Sequence, residues 1–243
     1  MATVYQVCLI APSSTRFRVW CRRQRQFHKA NRPRDPFARD YQADLCRLEI
    51  AFRHLLAKGV PSPEERILSY SECASRGRDI ERYHEIDHVI GTGDKPLVFV
   101  ELKFLERMKP KLAGAGQLNA SLSVARVRWP SLRGMLVHVH LGRVFSLGEQ
   151  ETSKYTGIDQ LPDLCMRQDK ERMHVCVEGQ EFLDQAIGAG CWDAQSTERL
   201  IEGRLNSMNP LRILKDDQPD DRPLGNAFSG LSGSREGDGI TSG

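Results

Sequence analysis

Apolar side chains recur along this chain in two rhythms. Alternation of period two marks strands, and spacings of three and four mark helices. Val4 to Ile10 has the pattern of a short strand, which the cluster Pro12-Ser13-Ser14 ends. Tyr41, Leu45, Leu48, Phe52, Leu55 and Leu56 fall at helical spacing. Asp40 is the expected cap of that helix, which runs to about Lys58, where Gly59 and Pro61 stop it. Tyr83 to Ile90 and Leu97 to Phe104 read as two strands joined through Gly91-Thr92-Gly93-Asp94, a β-hairpin. A loop rich in Lys, Pro and Gly then leads to a helix over about Gln117 to Val127. Gly134 to Leu141 is a third strong strand and Met173 to Val177 a weaker one, followed by helices over Gln180 to Ile187 and Thr197 to Asn206. The order predicts an α/β chain of mixed α+β character around one sheet.

Composition narrows this picture. With 243 residues, 40% hydrophobic and 28% charged, the chain has an ordinary globular make-up and the length for one large domain with appendages. No apolar run approaches the roughly 20 residues that cross a bilayer. Met1 to Pro12 lacks the features of a secretory signal, so a cytoplasmic protein without membrane partners is expected. The seven cysteines are scattered and form no Cys-x-x-Cys pair, which argues for reduced thiols over a zinc ribbon or redox motif.

The net charge of +3 hides an asymmetry. Residues 216–243 hold six acidic against two basic side chains, with Gly, Ser, Asp and Pro dominant, the signature of a disordered tail. Between Arg16 and Arg39, nine Lys or Arg residues face only Asp35, and Phe17, Trp20 and Phe27 are interleaved among them. Such a segment can hold phosphates and stack on bases, or be a solvated strand or helix face. Asn31 to Pro36 reads as irregular. Three regions follow: 1–39, an N-terminal strand with the basic segment; 40–215, the main domain; and 216–243, the tail.

The hairpin carries the candidate chemistry. Its first strand holds His84-Glu85-Ile86-Asp87-His88-Val89 and its second Val98-Phe99-Val100-Glu101-Leu102-Lys103-Phe104. Glu101 and Lys103, two apart, point to one face of a strand whose other residues are apolar. A carboxylate and an ammonium there cost several kcal/mol unless paired or bound to an ion. Neighbouring strands lie about 4.8 Å apart, so Asp87 and Glu101 can close on one cation if they share a face. A salt bridge on a solvent-facing edge strand is the competing interpretation. Glu49 flanks the apolar stripe of the first long helix, and Gln117 opens the helix after the hairpin, where Gly114 and Gly116 allow close backbone approach.

The ordered series of helix Glu49, strand Asp87, strand Glu101-Leu102-Lys103 and helix Gln117 resembles the PD-(D/E)xK nuclease superfamily, over roughly Asp40 to Leu141. One departure is that Ile86, not proline, precedes Asp87. The resemblance implies a restriction endonuclease-like core, with a central mixed sheet flanked by helices, and a catalytic set of Asp87, Glu101, Lys103, Glu49 and Gln117. It implies Mg²⁺ or Mn²⁺ held by Asp87, Glu101 and the Leu102 carbonyl, with Glu49 as an additional ligand. Lys103 would orient the attacking water and offset charge in the transition state. The expected function is metal-dependent hydrolysis of phosphodiester bonds, in DNA before RNA, in a defence, mobile-element or repair setting. A catalytically silent DNA-binding or assembly protein on the same scaffold is the alternative, and a structural adaptor docking through the acidic tail a third. Arg22, Arg23, Arg25, Lys29, Arg126 and Arg128, with Arg133, are the expected phosphate contacts. A homodimer or larger nucleoprotein complex fits paired cuts.

Other signals carry less. His138 and His140 share one strand face, but no third metal ligand is apparent, so both are expected to be satisfied sheet histidines. His84 and His88 bracket Asp87, and His88 should face away from it. Gly91-x-Gly93 lacks the third glycine of a dinucleotide loop and is expected to be a turn. Trp129-Pro130 is expected to end a helix and Trp192 to pack in the C-terminal lobe.

Overall fold

The computed structural model describes residues 3–31, 33, 35–73, 79–106, 113–147, 155–167 and 169–207. The expected tail, 216–243, lies outside them. Seven strands and six α-helices are described: β1 (Val4–Ile10), α1 (Thr15–Ala30), α2 (Pro36–Ala57), β2 (Ile67–Cys73), β3 (Asp79–Glu85), β4 (His88–Gly91), β5 (Pro96–Leu105), α3 (Ala115–Ala125), β6 (Arg133–His140), α4 (Leu161–Arg167), β7 (Arg172–Glu178), α5 (Gly179–Gly188) and α6 (Ala194–Ser207). A short 3₁₀ turn, Ile158–Gln160, precedes α4. None of the described helices is long and apolar enough to cross a membrane.

The fold is mixed α/β, but it holds two sheets where the sequence suggests one. β1, β2 and β3 form an antiparallel sheet in that order. The second sheet runs β4-β5-β6-β7, with β4 antiparallel to β5 and the remaining pairs parallel. The single strand expected from Tyr83 to Ile90 is therefore divided. It leaves the first sheet at Glu85 and joins the second at His88, with Ile86 and Asp87 at the crossing. Both halves alternate similarly, so periodicity does not mark the break. β2 is absent from the sequence-based reading altogether.

Helix boundaries follow local chemistry. The basic segment is helical: Ser14 caps α1, its hydroxyl accepting from the Phe17 N–H at 3.1 Å. α2 begins four residues before the expected Asp40 cap. Asp35 is the actual cap, accepting from the Phe37 N–H, and Pro36 stands in the first turn where no N–H is needed. α3 starts at Ala115 and ends at Ala125, short of Trp129. The indole of Trp129 instead donates to the Asp94 carbonyl across the hairpin turn at 2.9 Å. Gly91 makes that turn possible: its φ is +114°, and a Cβ there would sit 2.7 Å from the Lys95 carbonyl.

The two faces of the second sheet are covered differently. Val98, Val100, Leu102, Met135, Val137, Val139, Val175 and Val177 pack under Leu48, Phe52 and Leu56 of α2 and Phe182 of α5. Each buried side chain of this kind contributes about 2 kcal/mol. On the opposite face, Phe99 and Leu136 meet Leu118 and Leu122 of α3, joined by Leu68 and Ile86 from the first sheet's side. Trp192 is buried in the larger cluster, as expected. α3 covers only part of its face, and the polar residues of β5, β6 and β7 occupy the rest.

Candidate active site

Asp87 owes its position to the crossing between sheets. The antiparallel ladder of β4 and β5 runs no further than His88 opposite Val100. The next free donor on β5, the Leu102 N–H, is taken by Asp87 Oδ2 at 2.7 Å. A carboxylate therefore replaces a backbone carbonyl where the ladder stops, and its second oxygen is left for other chemistry. Glu101 and Lys103 flank Leu102 on the α3 side of the sheet. Lys103 Nζ lies 2.5 Å from Glu101 Oε1 and 4.0 Å from Asp87 Oδ2. Lys103 is thus within 4.0 Å of both carboxylates, with Asp87 reaching in from the strand edge.

Glu101 is only 2% exposed. Burial, with Asp87 nearby, pushes its carboxyl up to about 8 despite Lys103. Burial also raises Asp87, against the opposing pull of Lys103 and the Leu102 N–H. Burial alone would lower Lys103, but Glu101, Asp87 and Glu49 outweigh it and hold the ammonium above its ordinary value. The cause throughout is excess negative charge in a poorly hydrated place.

Glu49 joins from α2. It faces Arg53 one turn on, at 2.6 Å, and Arg53 also reaches the Asp87 carbonyl at 3.5 Å. Burial and the Asp87 charge raise Glu49. Sequence reasoning missed Arg53, although Glu-to-Arg at i, i+4 on a helix is a recognisable pair. Three carboxylates thus share two cations, Lys103 and Arg53.

Gly114 caps α3 at φ +85°, and a Cβ there would lie 3.0 Å from Lys103 Cε and 3.1 Å from Glu101 Cγ. The expected close approach is real at Gly114. It is not at Gly116, where a Cβ would meet nothing within 4 Å. Gln117 lies in the first turn of α3 and is exposed. Among the described residues, no group of three or more His, Cys, Asp or Glu is arranged to hold a metal ion. Asp87 and Glu101 therefore supply two carboxylates, and further oxygens would have to come from the backbone or solvent.

The expected phosphate contacts fall into two groups. Arg22, Arg23, Arg25 and Lys29 are exposed along α1, with Arg23 stacked on Tyr83 at 5.3 Å. Arg126 donates to the Leu132 carbonyl and pairs with Glu171, while Arg128 donates to the Val7 carbonyl. Arg133 is half-buried at the start of β6. His88 faces Ser62, with its imidazole 2.9 Å from the hydroxyl and lowered by burial to about 4. His84 contacts Tyr70 and Ser121.

The β6 histidines require a correction. His138 is satisfied, but His140 is not, and a third imidazole stands close by: His174 of β7, whose Nε2 is 3.1 Å from His138 Nδ1. It was missed because parallel pairing of β6 with β7 sets Leu136 opposite His174, so that His174 meets His138 from 36 residues away, which no local pattern encodes. Compared with known proteins, the chain matches no family model, no curated sequence and no solved structure.

Proposed function

We propose that this chain is a divalent-cation-dependent nuclease that hydrolyses phosphodiester bonds in DNA. The observation that carries the reading is the trio of buried Glu101 with half-buried Asp87 and Lys103 where the hairpin ladder ends. The order of α2, β4, β5, α3 and β6 around it agrees with a restriction endonuclease-like core. The donor set suits Mg²⁺ or Mn²⁺, hard cations that one or two carboxylates hold while water fills the remaining positions. Excess carboxylate charge favours the same kind of ion. When bound, such a cation lowers the pKa of water and neutralises charge on the phosphoryl oxygens.

Asp87 and Glu101 would hold the ion, with the Leu102 carbonyl between them and Glu49 as a further acid. Lys103 would orient the attacking water and offset charge on the scissile phosphate. Arg53 keeps Glu49 in place. Gln117, in the exposed first turn of α3, is available to the nucleic acid. The cations along α1 add a non-specific hold on the phosphate backbone.

The Lys103–Glu101 pair also favours a second reading. Lys103 and Glu101 are paired at 2.5 Å, an arrangement that a DNA-binding protein keeping the scaffold without turnover would also have. One experiment separates the two: wild type and Lys103→Ala incubated with plasmid and linear DNA in Mg²⁺, Mn²⁺ or EDTA. Cleavage by wild type with either metal, reduced about 100-fold in the variant, supports the nuclease. Wild type that binds DNA but cuts nothing, or a variant that cuts equally well, removes the catalytic assignment.

A further inference from the structure

The strand face that presents Glu101 and Lys103 continues across β6 and β7 as His138, His140, His174, Cys176 and Glu178, and this patch is unfinished as it stands. His140 is 5% exposed, and neither Nδ1 nor Nε2 has a hydrogen-bond partner. Glu178, its neighbour in the parallel register, has a buried and unpartnered Oε1. Among the described residues, four buried side-chain nitrogen or oxygen atoms lack a partner, and three of them lie here. Buried polar atoms are hydrogen-bonded as a rule, so three such exceptions in one patch call for an explanation.

His138 is prepared in a way that identifies the missing group. One of its nitrogens, Nε2, donates to the Ala113 carbonyl at 2.8 Å, which fixes the tautomer and puts a lone pair on Nδ1. A ring N–H given to a backbone carbonyl is the usual support of a metal-ligating histidine. That lone pair faces His174 Nε2 at 3.1 Å, so a single proton now lies between two imidazoles where a cation could replace it. Ring centroids of His138 lie 4.6 Å from His174 and 6.4 Å from His140. Two imidazoles on one tetrahedral zinc stand about 5 Å apart, given zinc–nitrogen bonds of about 2.0–2.1 Å. The observed separations bracket that value. The nitrogens do not yet converge on one point, in keeping with the absence of a preformed metal group among the described residues. Metal binding would require His140 and the exposed His174 ring to turn toward a common point.

We infer that His138, His140, His174 and Glu178 form a binding site for a borderline divalent cation of the zinc class, separate from the carboxylate site. Three imidazole nitrogens and one carboxylate suit Zn²⁺ or Co²⁺ and are a poor set for Mg²⁺. Cys176, with Sγ 3.7 Å from His174 Nε2, borders the site as an alternative soft donor.

The test is a titration of chelator-stripped full chain with Zn²⁺ against a chromophoric competing chelator. Wild type should bind one equivalent. His140→Asn and His174→Gln should each weaken binding by about tenfold or more, since even an outer-shell partner is worth about 10–100-fold. Asp87→Asn, which alters only the carboxylate site, should bind Zn²⁺ as wild type does. Co²⁺ should give a visible d–d absorption that both histidine variants lose. His174 is exposed, so His174→Gln keeps the test decisive if circular dichroism shows His140→Asn misfolded. Absence of zinc binding by wild type, unchanged affinity in His174→Gln, or loss of the zinc in Asp87→Asn overturns the assignment. Because the readout is metal binding at histidines, it stands or falls independently of DNA cleavage.

Discussion

Replacing Glu101 with glutamine should make this protein more stable in alkali, although it removes half of a buried ion pair. Folding raises the Glu101 carboxyl from 4.5 to about 8. A group whose pKa is raised in the folded state stabilises fully below its unfolded value, and that contribution is lost as pH climbs through the folded one. Each unit corresponds to about 1.36 kcal/mol, so wild type should lose about 4 kcal/mol of this contribution between pH 5 and pH 9. Glutamine has nearly the same shape and does not ionise, so Glu101→Gln lacks the loss. Urea denaturation of both proteins at half-unit pH steps gives the difference in unfolding free energy directly. The expected curve rises in favour of the variant across that window, and Mg²⁺ flattens it by replacing the proton on wild type. Parallel pH profiles for the two proteins would mean that Glu101 ionises as freely as in water, and the desolvated site would be refuted.

Three further outcomes are expected. Gly114→Ala should cost about 1–2 kcal/mol for the left-handed backbone alone, more with its crowding of Lys103 and Glu101, and should lower cleavage; an unchanged urea midpoint would contradict this packing. Arg53→Ala removes the cation that holds Glu49 down, so the acidic limb of the activity profile should move to higher pH, with a stability loss of about 1 kcal/mol. Replacing Arg22, Arg25 and Lys29 of α1 together with alanine should reduce the slope of log DNA affinity against log salt by up to about 3. An unaltered slope in a fluorescence-anisotropy titration would place the DNA elsewhere.

Most elements were legible because their signals are local. The stripe of Leu45, Leu48, Phe52 and Leu56 needs only helical periodicity, and the hairpin needs only two apolar runs around Gly91. The approach of Gly114 to the site was also legible, since glycine at a loop-to-helix junction is informative about what lies against it. What escaped detection depends on partners distant in sequence. β2 looks unremarkable until β1 and β3 pair with it. The break at Ile86-Asp87 exists because two sheets compete for one run of chain. His174 acquires meaning only once parallel pairing places it beside His138.

That same break explains why a carboxylate at this point is more than a packing accident. At an ordinary strand end, solvent or a backbone carbonyl would satisfy the Leu102 N–H, and no charge would be needed. Asp87 instead occupies the position at 2.7 Å, in a place where burial raises its pKa. A second acid, the buried Glu101, stands next to it, although an apolar pair in these positions would fold at lower cost. Lys103 compensates only one of the two. A structural ion pair requires one acid and one base, so the second acid is surplus to stability. The divalent cation of the proposed function would account for its presence.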